Sequence, residues 1–184
     1  MLLFLCNYLF SAPTPSPSCT RYPLFSLFYK SSPLSVSLKP TPLQGFIMSK
    51  EVLITRIESF SAAHRLYSHA LSAEENTAIF GKCSRENGHG HNYKVEVRVK
   101  GPVDPITGMV MNITDLKALM GVVLDKVDHR NLDKDVPYFA DKPSTAENLA
   151  VFWWEELVGR LPGGVRLNKI KIWETEKNVA SYKG

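Results

Sequence analysis

Acid is missing from the first fifty residues of this 184-residue chain. That stretch carries four basic residues, Arg21, Lys30, Lys39 and Lys50, and seven of the chain's twelve prolines. So much proline leaves no apolar period of 2 or 3.6, and hence no strand or helix from which to build a core. "SAPTPSPSCTRYP" and "SSPLSVSLKPTP" read instead as a Ser/Pro-rich extension, and residues 1–47 are expected to be disordered or removed. Its first segment, "MLLFLCNYLF", lacks the basic n-region of a secretory signal and is too short to span a bilayer. A transit segment for mitochondria is a second reading, because the stretch is Ser-rich and free of acid, although it is poor in Arg. The favoured reading is an upstream extension ahead of a start at Met48, where "MSKEVLITRIESF" opens an ordinary cytosolic domain over 48–184.

Cysteine is scarce as well. Cys6 and Cys19 lie in the extension, so Cys83 is alone in the remainder. A disulfide framework is excluded there, and a reducing, cytoplasmic setting fits. A surplus of positive charge is also missing. Residues 51–184 hold 18 acidic and 18 basic side chains, so the formal charge of +4 comes from the first fifty residues. With no Lys/Arg stripe, no nucleic-acid partner is expected, nor a membrane one. About 134 residues bury roughly two-thirds of their unfolded surface, enough for one core.

The periodicities within 48–184 define a short list of elements. "EVLITRIESF" alternates as a strand. "SAEENTAIFG" has Ser72 and Glu75 at capping-box spacing and Gly81 as a stop, which predicts a short helix. "YKVEVRVKG" sets Val95, Val97 and Val99 against Lys94, Glu96, Arg98 and Lys100, one face dry and one wet. "GPVDPITGMVMN" carries turn chemistry and predicts a hairpin with a short returning strand. "NITDLKALMGVVLDKV" and "PSTAENLAVFWWEELVGRL" predict helices, the second with Ser144 and Glu147 at capping-box spacing and Leu149, Phe152, Trp153 and Leu157 facing the core. "RLNKIKIWET" and "NVASYKG" predict a closing hairpin. The expectation is an α+β fold, an antiparallel four-stranded sheet with helices on one face.

The chemistry concentrates in "GKCSRENGHGHNYKVEVRVKG", residues 81–101. His89 and His91 sit two apart at the start of a strand and therefore point to one side. His64, at the end of the first strand, supplies a third imidazole. Three histidines with a fourth position open is the pattern of a catalytic zinc, although surface histidines without a metal satisfy the same spacing. Cys83 fits a fourth ligand, a thiolate activated beside a metal dication and an imidazole, or an inert buried thiol. Asp128 and His129 are adjacent in a loop, either a carboxylate–imidazole pair or solvated polar residues. Glu174 ends an otherwise apolar strand, where it could accept two parallel N–H bonds from a guanidine-like edge or simply face water. His69 has no partner in the pattern.

"SFSAAHRL", "FGKCSRENGHGHNY", "DPITGMVMN", "LDKVDHRNLD", "DVPYFADKPSTAENLAV" and "KIWETEKN" together resemble, in order and spacing, the 6-pyruvoyltetrahydropterin synthase family of the animal type. The resemblance covers nearly all of 50–184. It implies the tunnelling fold, in which subunit sheets join into a barrel and chains form homohexamers, dimers of trimers with active sites between subunits. It implies conversion of 7,8-dihydroneopterin triphosphate to 6-pyruvoyl-tetrahydropterin, for tetrahydrobiopterin. By the same resemblance His64, His89 and His91 hold Zn2+, Cys83 is the base, and Asp128 and His129 complete its relay. Glu174 anchors the pterin and joins that relay, Thr145 and Glu147 line the pterin pocket, and Mg2+ accompanies the triphosphate. The rivals are a 6-carboxytetrahydropterin synthase of queuosine biosynthesis, usually spaced C-x3-H-G-H where this chain has C-x5-H-G-H, and an inactive pterin-binding member of the fold.

Overall fold

Alternation of apolar and polar residues over two long stretches dictates the centre of the molecule. In the computed structural model, which describes residues 50–184, these stretches are β1, Glu51–His64, and β2, His89–Pro102. They pair antiparallel along their whole length, from Glu51 opposite Pro102 to His64 opposite His89. The readings of residues 1–47 lie outside the described residues. Between the two strands run α1, Ala73–Phe80, and a single 3-10 turn, Gly81–Ser84. The predicted capping box is present: Ser72 accepts from the Glu75 amide and Glu75 accepts from the Ser72 amide. Gly81 ends the helix at φ 55°.

The hairpin predicted after β2 does not form. Asp104 does organise a turn, its carboxylate accepting from the amides of Ile106 and Thr107. The chain then enters α2, Ile113–Val127, capped by Asn112, with no strand in between. The reason lies in the sheet. β2 already has β1 on one side and β4, Arg166–Trp173, on the other, so no edge is left for a returning strand.

After α2 comes the two-residue β3, Arg130–Asn131, parallel to β1, and then the one-turn α3, Leu132–Asp135. α4, Ala146–Val158, precedes β4, and β5, Val179–Tyr182, closes the chain as the expected hairpin partner of β4. The sheet order is β3-β1-β2-β4-β5. Where four antiparallel strands are expected, the sheet has five and is mixed: β1, β2, β4 and β5 are antiparallel, and β3 is a parallel stub beside β1. The α+β fold stands.

The core lies between this sheet and the helices. Tyr93, Val95, Val97 and Val99 of β2 meet Leu116, Met120, Val123 and Val127 of α2 and Leu149, Phe152, Trp153 and Leu157 of α4, all buried. Each such aliphatic or Phe side chain contributes about 1.5–3 kcal/mol on leaving water. The opposite face of β1 and β2 is not covered by these helices, and Ile57 there is 53 % exposed. Among the described residues no helix is long and apolar enough to cross a membrane.

Candidate metal centre

The register of β1 and β2 builds the site. His64 ends one strand directly opposite His89, which opens the other, and His91 faces Ala62. Directly opposed residues, and alternate residues within a strand, share a face. All three imidazoles therefore lie on the helix-covered side of the sheet. Gly88 makes the approach possible: it sits at φ 65°, and a Cβ there would lie 2.6 Å from the carbonyl oxygen of His64.

One ring nitrogen from each of the three histidines falls within 4.8 Å of the others. The Nε2 atoms of His64 and His89 are 3.2 Å apart. Glu174, just past β4, brings its Oε1 to 3.8 Å from Nε2 of His64 and 3.9 Å from Nε2 of His91. Burial, and next the neighbouring His64, hold His89 below the ordinary imidazole value. Burial also lowers His91, where the Glu174 carboxylate pulls upward and the other two imidazoles push down. Both rings are thus biased to the neutral form that ligates metals. Nε2 of His91 is buried with no hydrogen-bond partner among the described residues. Three clustered imidazoles, one with an orphaned buried nitrogen, match the donor set expected of a divalent zinc with a fourth position open. The residues fit that ion.

Ser144 stands where the sequence predicts an N-cap, and the structure corrects this. The cap of α4 is Thr145, whose hydroxyl accepts from the Asn148 amide. Ser144 is fully buried: its carbonyl accepts from Nδ1 of His64 at 2.9 Å, and its hydroxyl donates to Asp133 at 2.5 Å. The residue is drawn out of the helix end by the histidine beside it. Sequence reasoning misses Ser144 and Asp133 as site residues; the only trace is that they fall inside "DVPYFADKPSTAENLAV" and "LDKVDHRNLD". Glu147, exposed in the first turn of α4, and Thr145 are one to three residues beyond this contact.

Cys83 lies in the 3-10 turn, partly exposed as a free thiol. Its carbonyl accepts from the Leu66 amide, which ties the turn to the chain just past His64. Its sulfur is not part of the cluster of atoms within 4.8 Å. Asp128 and His129 do pair, with Oδ2 2.9 Å from Nδ1, despite being neighbours in sequence. The parallel return along β1 explains it. The Ser61 amide donates to Asp128, the His129 amide donates to the Ser61 carbonyl, and His129 is held at φ 57°. The Ser61 N–H first, and then His129, hold the Asp128 carboxyl below its usual value. The pair faces outward, with the His129 side chain 83 % exposed, and does not join the histidine cluster within one chain.

A family model described as 6-pyruvoyl tetrahydropterin synthase matches residues 53–184. The chain belongs to the 6-pyruvoyl tetrahydropterin synthase family. It is 58 % identical over 132 residues to the human 6-pyruvoyl tetrahydrobiopterin synthase, spanning 71 % of this chain and 90 % of that protein. The solved structure of Caenorhabditis elegans 6-pyruvoyl tetrahydropterin synthase superposes with a TM-score of 0.71 at 50 % identity, over 74 % of this chain and 97 % of that one. A putative 6-carboxy-5,6,7,8-tetrahydropterin synthase of Archaeoglobus fulgidus is 32 % identical over 136 residues, 74 % of this chain and 99 % of that protein. The synthase family thus accounts for the sheet and helices described above, and for the stretch of sequence that contains every histidine of the cluster.

Proposed function

We propose that this chain is a zinc-dependent lyase that converts 7,8-dihydroneopterin triphosphate to 6-pyruvoyl-5,6,7,8-tetrahydropterin and inorganic triphosphate, for tetrahydrobiopterin biosynthesis. The observation that carries the reading is the three-imidazole cluster with Glu174 beside it, in a chain 58 % identical to the human synthase. Identity to the 6-carboxy relative is lower, at 32 %, and the C-x5-H-G-H spacing from Cys83 is not the C-x3-H-G-H usual in that branch.

His64, His89 and His91 would hold the zinc, which supplies Lewis-acid stabilisation of charge on the substrate's side-chain oxygens. Cys83 takes the proton from the carbon bearing a side-chain hydroxyl. His129, oriented by Asp128 at 2.9 Å, carries protons onward, and its exposure is what a pair completing a neighbouring subunit's site requires. Glu174 accepts the paired N–H groups of the pterin's guanidine-like edge. Thr145 and Glu147 line the pterin pocket, at the start of α4. Mg2+ accompanies the triphosphate.

An assembly of sheets into a barrel, as a homohexamer, is supported by the sheet face that α2 and α4 leave open, with Leu53 and Ile57 exposed on it. A cytoplasmic location is supported by the free thiol of Cys83. The full chain, supplied with zinc, magnesium and dihydroneopterin triphosphate, should release triphosphate and 6-pyruvoyl-tetrahydropterin. A 6-carboxy pterin in its place would move the chain to the other branch. Zinc bound without turnover would leave a pterin-binding protein.

A further inference from the structure

Two segments far apart in sequence are fastened by one carboxylate. Asp133 Oδ2 accepts from the amide of Arg65, the residue after His64, at 2.5 Å. Its Oδ1 accepts from the Ser144 hydroxyl, also at 2.5 Å. The carbonyl of the same Ser144 lies 2.9 Å from Nδ1 of His64. Asp133 therefore holds both the backbone that carries His64 and the backbone that carries its acceptor. Asp133 is itself placed by the turn of α3, where Asn131 caps its amide.

A carbonyl oxygen only accepts, so the nitrogen facing it carries the hydrogen. That leaves the lone pair of His64 on Nε2, the atom nearest His89 and Glu174. The second neighbour of Nδ1 does not oppose this. The Tyr93 hydroxyl is 3.4 Å away and buried, and a phenol oxygen can accept, so it is compatible with hydrogen on that nitrogen. His64 and Ser144 are both completely buried, so water does not compete for the ring. Among the described residues, His64 is the one member of the triad whose ring is held by a backbone acceptor.

We propose that Asp133 and Ser144 are positioning residues for the metal centre: their hydrogen bond aims the Ser144 carbonyl at Nδ1 of His64 and so fixes the ring in the tautomer that presents Nε2. The inference rests on the reading of His64, His89 and His91 as metal ligands. Neither residue belongs to the three-imidazole cluster that would hold the ion. Partners of this kind set ligand orientation and basicity, and their loss typically weakens metal binding about 10–100-fold. Asp133→Ala removes both acceptors, so the Arg65 amide and the Ser144 hydroxyl each lose their partner, whereas an Asn could still accept from the amide and donate to the hydroxyl.

The test has two readouts on the full chain. The first is the ring-nitrogen NMR signature of His64 in metal-free protein, and the second is the zinc dissociation constant. The wild type should show hydrogen on Nδ1. Asp133→Ala should show a mixture of tautomers and bind zinc about 10–100-fold more weakly. Ser144→Ala keeps the carbonyl and loses only the hydroxyl, and it provides the same readouts should Asp133→Ala fail to fold. The double variant should cost no more than the costlier single change, because both cut one linkage. A pure clamp would lower the unfolding temperature and leave tautomer and zinc affinity as in the wild type, and that result overturns the proposal. So does a wild-type His64 with its hydrogen on Nε2. A wild-type chain that takes up no zinc refutes the metal reading instead, while the tautomer still decides the role of Asp133.

Discussion

Gly88→Ala perturbs the closest approach in the centre. The new methyl would stand 2.6 Å from the His64 carbonyl oxygen and 3.2 Å from its carbon, both backbone atoms that cannot rotate away. The residue would also be forced to φ 65°, which costs a non-glycine residue about 1–2 kcal/mol. Gly108 supplies the control. It has φ 71°, but a methyl added there would meet nothing within 4 Å, so Gly108→Ala carries the strain without the clash. Relieving an overpacked contact adds typically about 1–3 kcal/mol, so Gly88→Ala should destabilise by roughly 2–5 kcal/mol against roughly 1–2 for Gly108→Ala. The clash pushes His64 away from His89. Metal sites tolerate only about 0.2 Å in ligand distance, so zinc affinity should fall in Gly88→Ala and remain in Gly108→Ala. Denaturant unfolding of metal-free protein and zinc titration of both variants give the numbers. Equal destabilisation, with zinc binding intact in both, would refute the claim that Gly88 sets the approach of the two histidines.

Cys83→Ala should keep the fold and the zinc but lose turnover; loss of zinc, measured by elemental analysis, would make the thiol a ligand. Glu174→Gln replaces one acceptor by a donor facing the pterin's own donors, so KM should rise; an unchanged KM and kcat would remove Glu174 from the pocket. Metal-free protein should lose stability as acid is added. His89 and His91 are held below 6.5 in the folded chain, so the unfolded chain takes up protons first. This contribution is intact above about pH 6.5 and declines as pH falls through that value towards the folded pKa values. Unfolding curves that are flat between about pH 7 and 5.5, at constant zinc-free conditions, would contradict it.

The triad is legible in the sequence because it rests on strand periodicity, a local property. His89 and His91 share a face by alternation, and His64 ends the strand that any antiparallel pairing brings alongside. Glu174 is legible for the same reason, as the charged residue just past the apolar strand β4. Ser144 and Asp133 are not. The Ser144 contact with His64 joins residues 80 apart, and Ser144 followed by Glu147 satisfies capping-box spacing equally well. The tertiary contact overrides the local motif and moves the cap to Thr145. The strand expected after Pro102 is absent because turn chemistry around Asp104 says nothing about whether β2 has a free edge. The pairing of Asp128 with His129 depends on Ser61, supplied by β1 across 67 residues, and no local pattern records it.

The most direct measurement is a zinc back-titration of chelator-stripped full-length chain, reading triphosphate release from dihydroneopterin triphosphate at each step, with His89→Ala alongside. The rate should climb in proportion to bound zinc, level off at one ion per chain, and stay at background in the variant. Full triphosphate release by the stripped protein, or an undiminished rate in His89→Ala, would contradict a zinc centre built on the three histidines.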